Sequence, residues 1–138
     1  DLLSELDSVF GITELHYLLI QSGKDKIRGY SGHLSKEEIN ELSLLINIET
    51  IGLYLLKKED GGLRLSFDAS TVLKDQINKN IIEISDEQFN SWIRGNDLEI
   101  VSSKGPIIIK YKDDFIGCSL SNGTKIFNYV PKDRRLRK

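Results

Sequence analysis

The spacing of apolar residues changes several times along this chain, and each change marks an element. Leu2, Leu3, Leu6, Val9 and Phe10 recur at helical spacing and Gly11 follows, which predicts a short amphipathic helix that stops at the glycine. Glu14–Ser22 is largely apolar (Leu15, Tyr17, Leu18, Leu19, Ile20) and too short for more than a buried strand. Gly23-Lys24-Asp25 turns the chain and Ile27–Ser31 returns, so a hairpin is expected, with Gly29 and Gly32 marking a bulge or a close approach of backbone. Ser35 and Glu38 have the spacing of a capping box, in which each side chain satisfies the other residue's orphan N–H. They open a predicted helix with Ile39, Leu42, Leu45 and Ile46 inward, ending before Ile51. Gly52–Lys58 reads as a strand, Glu59-Asp60-Gly61-Gly62 as a hairpin loop, and Leu63–Phe67 as the return. Asp68 is placed to cap a short helix through Ile77, with Val72, Leu73 and Ile77 packed.

Asn78-Lys79-Asn80 is polar and reads as a hinge between two units, residues 1–79 and 80–138. Beyond it Ile81–Ile84 is a strand, and Ser85 with Gln88 forms a second capping box. Phe89, Trp92 and Ile93 share one helix face, so Trp92 is read as core rather than as a stacking platform. Gly95 ends that helix in the left-handed conformation, and Asp97–Ser102 resumes as a strand. Lys110 and Lys112 alternate along a later strand and share a face, as do Phe127 and Tyr129 around Asn128.

Charge divides the chain unevenly. The net value is −2, yet residues 104–138 hold nine Lys or Arg against three Asp or Glu, a net of +6, which leaves −8 on the rest. A basic end on an acidic body points to a polyanion at that end, against the simpler reading of a solvated basic tail. At 138 residues, 29% charged and 39% hydrophobic, the composition is that of an ordinary globular protein of one domain or two small ones. No apolar run reaches about 18 residues, so no membrane span is expected, and no leader pattern opens the chain. The chain starts at Asp1 and contains no methionine, as a fragment, a processed chain or a chain lacking its start would. The single cysteine, Cys118, lies in an apolar strand context and is read as a buried, inert thiol, which favours a reducing compartment.

Catalytic patterns are weak. His16 and His33 lie in separate elements without partner spacing, Gly23-Lys24 lacks the first glycine of a phosphate loop, and nothing has zinc-ligand spacing. Glu37 and Glu38 favour a helix N-terminus, and Asp113-Asp114 reads as a turn. No nucleophile, base and acid emerge as a set, so no enzyme and no cofactor are read here. The polyanion-binding set is Arg94, Gly95 and Asn96 at the turn, Lys110 and Lys112, then Lys125, Lys132, Arg134, Arg135, Arg137 and the last residue, Lys138. Guanidinium forks bind phosphate through two hydrogen bonds and ammonium groups act as point charges.

The segments Phe89-Asn90-Ser91-Trp92-Ile93-Arg94-Gly95-Asn96-Asp97-Leu98 and Phe115-Ile116-Gly117-Cys118-Ser119 resemble the PUA domain, a small RNA-binding β-barrel. The chain departs from the family pattern at Val101–Gly105, where many members carry Pro-Gly. The helix and hairpin order of the first half resembles the pre-PUA domain of ribosome biogenesis factors. The resemblance implies an α+β fold, a small N-terminal α/β domain followed by a PUA-like, mostly antiparallel barrel whose edge near its helix and last strand contacts RNA. It implies a non-catalytic RNA-binding protein with ribosomal or transfer RNA as partner, ribosome assembly proteins as further partners, no membrane, and a cytoplasmic location (nucleolar in a eukaryote). The alternatives are an RNA-targeting appendage of a modifying enzyme, such as a cytosine-5 RNA methyltransferase, and a protein–protein adaptor docking through the acidic half.

Overall fold

The computed structural model describes residues 1–30 and 53–136. The expected Ser35–Glu38 capping box and its helix, Gly32, His33, Arg137 and Lys138 lie outside the described residues. Helix α1 (Leu2–Phe10) buries Leu6 and Phe10 and ends at Gly11, whose φ of 85° lets its N–H reach the Asp7 carbonyl at 2.9 Å. A side chain at Gly11 would also collide with the Asn78 amide. The spacing of leucines at the chain start is therefore answered by the helix it predicts.

Strands β1 (Leu18–Ser22), β2 (Lys26–Tyr30), β3 (Leu53–Glu59) and β4 (Gly62–Leu65) form an antiparallel sheet in that order. Both hairpins fall where the glycine-bearing turns put them. At Gly29 the backbone passes directly against Tyr17 and Leu55. Helix α2 (Phe67–Val72) follows, and its cap is Ser66 rather than the expected Asp68. Ser66 Oγ accepts from the Ala69 N–H at 3.0 Å and donates to the Tyr54 carbonyl at 2.6 Å. Asp68 falls inside the first turn, where its charge complements the helix dipole without capping. A 3-10 turn at Lys74–Gln76 completes this half. Gln76 Oε1 there accepts from the Thr13 and Glu14 N–H groups, both at 2.9 Å.

The polar stretch at 78–80 is tied to the end of α1. Asn78 N–H donates to the Phe10 carbonyl at 2.9 Å, Asn80 Nδ2 to Val9 O at 2.6 Å and Lys79 Nζ to Asp7 O at 3.1 Å. The first two bonds occupy carbonyls that a helix C-terminus otherwise leaves free, and the third shares Asp7 O with the Gly11 N–H.

A second sheet comprises β5 (Ile81–Glu83), β6 (Gly105–Tyr111) and β7 (Asp114–Ser121) in that order. β5 runs parallel to β6, and β6 antiparallel to β7. Helix α3 (Asp86–Trp92) lies between β5 and β6 in sequence. Ser85 and Gln88 cap it reciprocally, with Ser85 N–H to Gln88 Oε1 at 2.9 Å and Gln88 N–H to Ser85 Oγ at 3.1 Å. The architecture is thus α+β with largely antiparallel sheets. Among the described residues no strand closes the second sheet into a barrel, and its far side carries two isolated bridges, Leu98 to Ile126 and Ser121 to Ile126.

Three sequence expectations are corrected in this half. Asp97–Ser102 is not a strand but a loop with one bridged residue, because Leu98 meets only Ile126. Phe127–Tyr129 likewise forms no strand: Phe127 N–H reaches Leu120 O of β7 at 3.0 Å, but Asn128 N–H goes to the Asp97 carboxylate and Val130 N–H to Asn128 Oδ1, so no ladder continues. Lys112 does not share a strand face with Lys110, since β6 ends at Tyr111 and Lys112 sits in the β6–β7 turn with φ 55°.

Two hydrophobic clusters fill the interior. The first gathers Leu6, Phe10, Ile12, Leu55, Leu56, Leu65 and Ala69 with Ile108 and Cys118 from the second sheet. The second gathers Ile84, Trp92, Leu98, Ile107, Ile109 and Ile126. A strand buried on both faces reads as a continuous apolar run, which is what Ile107-Ile108-Ile109 provides.

Candidate nucleic-acid interface

Helix α3 stops because Gly95 takes φ 94°, and the Asn96 N–H returns to the Ser91 carbonyl at 3.2 Å. This turn is held from the far end of the chain. Asn128 Nδ2 donates to the carbonyls of Trp92 (2.8 Å) and Asn96 (2.9 Å), and Asn128 N–H donates to Asp97 Oδ1 at 2.7 Å. The C-terminal segment then folds over the turn. Arg135 lies against Gly95, where any Cβ would strike its side chain, and Arg135 Nε donates to Val130 O at 2.9 Å. Leu136 N–H closes the contact on Ile93 O at 2.8 Å.

The residues expected to bind a polyanion therefore divide. Gly95 and Arg135 are in contact, and Arg94 and Asn96 flank that contact as exposed residues. Lys132 and Arg134 lie in an exposed 3-10 turn (Lys132–Arg134) just before Arg135. Lys125 is paired with Glu99 at 3.6 Å on the surface, an arrangement worth about 0–1 kcal/mol. Lys110 is half-buried in β6 opposite Glu83, and Lys112 reaches over the Tyr111 ring at 5.2 Å. No side-chain hydrogen bond or ion pair joins these two lysines to the Gly95 turn among the described residues. Trp92 is 2% exposed, in keeping with its assignment to the core. His16 lies 3.3 Å from Glu14 with both side chains exposed, and no three His, Cys, Asp or Glu side chains gather as a metal site among the described residues.

Beside the turn lies a feature that sequence reasoning did not find, a cavity of about 520 Å³ between the two sheets' helices. Its walls include Phe67, Phe89, Trp92 and Tyr129, with Arg64 and Arg134 among its polar residues. The Arg64 guanidinium sits 4.2 Å from the Tyr129 ring centroid and 3.7 Å from Glu59, and Arg134 lies 5.9 Å from the Phe67 ring. Burial pushes the Tyr129 and Tyr54 hydroxyls above the usual tyrosine range, with Glu59 adding to the rise. Cys118, also on the wall, is buried, and burial pushes its thiol to about 12. Trp92 Nε1, Ser119 Oγ and Arg64 Nε are buried without a hydrogen-bond partner among the described residues, a condition that costs about 1–3 kcal/mol per group. The alternation of Leu63, Arg64 and Leu65 in β4 signals that Arg64 faces away from the first core. What it faces depends on contacts with residues more than sixty positions later, which no local pattern carries.

Residues 79–136 match the family described as the Methyltransferase RsmF PUA domain. This match supports a PUA-type domain in that segment. Curated relatives share the name ribosomal RNA small subunit methyltransferase F. That of Shewanella oneidensis is 30% identical over 91 residues, 64% of this chain and 19% of the relative. That of Erwinia tasmaniensis is 28% identical over 102 residues, 72% of this chain and 21% of the relative. That of Vibrio cholerae serotype O1 is 24% identical over 102 residues, 72% of this chain and 22% of the relative. The chain spans about a fifth of the length of the curated relatives it matches.

Proposed function

We propose that this chain is a non-catalytic RNA-docking segment and that it acts as an appendage of a ribosomal RNA methyltransferase. The match of residues 79–136 to a methyltransferase PUA domain carries the reading, and the names of the relatives supply the substrate class, small-subunit ribosomal RNA. In this reading residues 80–138 are the PUA-like unit, its open sheet completed by the bridged segments, and residues 1–79 are a pre-PUA-like unit. The work is done in the cytoplasm and needs no cofactor in this chain. No helix among the described residues is long and apolar enough to cross a membrane.

Docking is electrostatic first. Arg94, Lys132 and Arg134 are exposed around the Gly95 turn and take phosphates, with Asn96 beside them as a hydrogen-bonding residue. Arg135 holds the turn's shape, since its Nε is already bonded. Lys110, Lys112 and Lys125 add positive potential at longer range. A filter-binding titration of the chain with a structured fragment of small-subunit ribosomal RNA tests this. Affinity should fall with rising salt at a log–log slope of about −0.7 to −0.9 per phosphate contacted. The double variant Lys132→Ala, Arg134→Ala should weaken binding to all RNA sequences and flatten the slope by about 1–2 units. Affinity indifferent to salt would remove the electrostatic reading.

A further inference from the structure

We propose that the cavity between α2, α3 and the C-terminal segment takes one unstacked nucleobase from an RNA strand, an inference that rests on the RNA-binding reading above. Its volume of about 520 Å³ lies within the roughly 300–1,000 Å³ typical of small-ligand sites. Aromatic rings supply its walls, and base–aromatic stacking holds single-stranded RNA whatever the sequence. Charge then limits the occupant. Arg64 is paired with Glu59 at 3.7 Å, and the lining carboxylates Asp68 and Asp133 offset Arg134, so the cavity carries no excess positive charge and suits a neutral ring better than a phosphate. The phosphates stay outside, toward the exposed Lys132 and Arg94.

The hydrogen-bonding atoms narrow the choice further. Of the four buried side-chain atoms without a partner among the described residues, three belong to lining residues: Arg64 Nε, Trp92 Nε1 and Ser119 Oγ. Native interiors rarely leave such groups unpaired. The first two can only donate, and a hydroxyl can do either. A flat heterocycle with acceptors on its edge complements these atoms and also fills the space between aromatic walls, which an aliphatic side chain does not. These three atoms expose almost no surface in the free protein, so engaging them requires side chains at the wall to shift. Trp92 is the chain's single tryptophan, and its emission reports that shift.

The intact chain should be titrated with each of the four nucleoside 5′-monophosphates, with ribose 5-phosphate as the control, while Trp92 fluorescence is followed. A saturable change with at least one nucleotide and none with the sugar phosphate is expected. Tyr129→Leu should weaken that nucleotide about ten-fold or more, through loss of a stacking surface, and Ser119→Ala should weaken it by a smaller factor. Melting curves of both variants identify any that fail to fold, and saturation-transfer NMR on the unaltered chain gives a readout free of that complication. If no nucleotide alters either signal up to about 10 mM, well past the millimolar range of weak ligands, the inference is overturned. The RNA-binding reading then still stands, provided the same preparation retains ribosomal RNA on filters. An equal response to ribose 5-phosphate also overturns it, since the phosphate and not the base would be bound. Loss of all RNA binding overturns both.

Discussion

Consecutive isoleucines in β6 enter different interiors. Ile108 joins α1, α2 and the first sheet, whereas Ile107 and Ile109 join Trp92, Leu98 and Ile126. The first interior is closed by partners from both ends of the described chain, and several polar groups near its edge are bonded (Ser66 to Tyr54, Gln76 to Thr13 and Glu14, Asn80 to Val9), although Arg28 Nε and Arg64 Nε in its sheet are not. Both adjoin the cavity, the first through Leu65 and Cys118 and the second through Trp92, and Arg64, Trp92 and Ser119 keep unpaired polar atoms there. Satisfied polar groups define one arrangement of a core. Unsatisfied ones beside an opening mark a surface not built for folding alone. The same strand thus divides its isoleucines between two cores, each of which supplies residues to the cavity wall through other elements.

The sharpest way to break this comparison is to remove the first interior. A fragment of residues 80–138 would expose Ile108 and Cys118, and at about sixty residues it has little burial to spare. We expect it to lack a cooperative thermal transition when followed by circular dichroism. A sharp melt at the temperature of the full chain would mean that the second cluster is self-sufficient.

Single substitutions come next. Ile108→Ala and Ile109→Ala each remove a side chain with no exposed surface, and each should destabilise the chain by about 2–5 kcal/mol in urea titrations. Their consequences should differ in kind. Ile108→Ala should leave any ligand affinity per folded molecule unchanged, whereas Ile109→Ala loosens the cluster that carries Trp92. Identical effects of both on ribosomal RNA binding would erase the distinction between the two faces.

Local signals in the sequence were read well where a few neighbouring residues decide the outcome. Gly11 ends α1, the Gly23 turn and Gly61-Gly62 make hairpins, and Ser85 with Gln88 caps α3. Asp68 in place of Ser66 as the α2 cap and Lys112 in its turn were local misses, and the other failures came where a distant residue decides. Leu98 looked like the start of a strand, but Ile126 offers it a single bridge. The parallel pairing of β5 with β6 joins residues more than twenty positions apart. The candidate interface was legible at Arg94–Asn96, whose turn chemistry is local. Asn128, which ties that turn to the chain end, has nothing in its neighbourhood to announce the role, and neither do the walls of the cavity.

A pH series separates the faces more gently. Cys118 is packed in the first cluster with its thiol held up at about 12, against 9.0 for a free one. The unfolded chain loses its thiol proton near 9 while the folded chain keeps it, so the unfolded state binds fewer protons above 9 and stability falls as pH rises from there toward 12. The limiting slope is about 1.4 kcal/mol per pH unit. Cys118→Ala should shed this component of the alkaline decline, and a thiol reagent should react with the native protein only as fast as it unfolds. An immediate reaction at neutral pH would show that the first interior is not sealed at Cys118.

The smallest effect tests the same contrast through two serines that do one job in different surroundings. Ser66 caps α2 with its side chain accepting from Ala69, and it also donates to the Tyr54 carbonyl at 2.6 Å while almost fully buried. Ser85 caps α3 at an exposed position, where Gln88 completes the box. Removing an exposed cap returns the freed N–H to water and costs about 0.5–1 kcal/mol. Removing a buried one also strands the Tyr54 carbonyl, so Ser66→Ala should cost about 1–2 kcal/mol, the greater loss. Paired urea denaturation of Ser66→Ala and Ser85→Ala, with unchanged m values, measures the difference directly. Equal losses would mean that water reaches Tyr54 as readily as it reaches the start of α3. Since Ser66 and Tyr54 both line the cavity, water would then enter it as far as the start of α2.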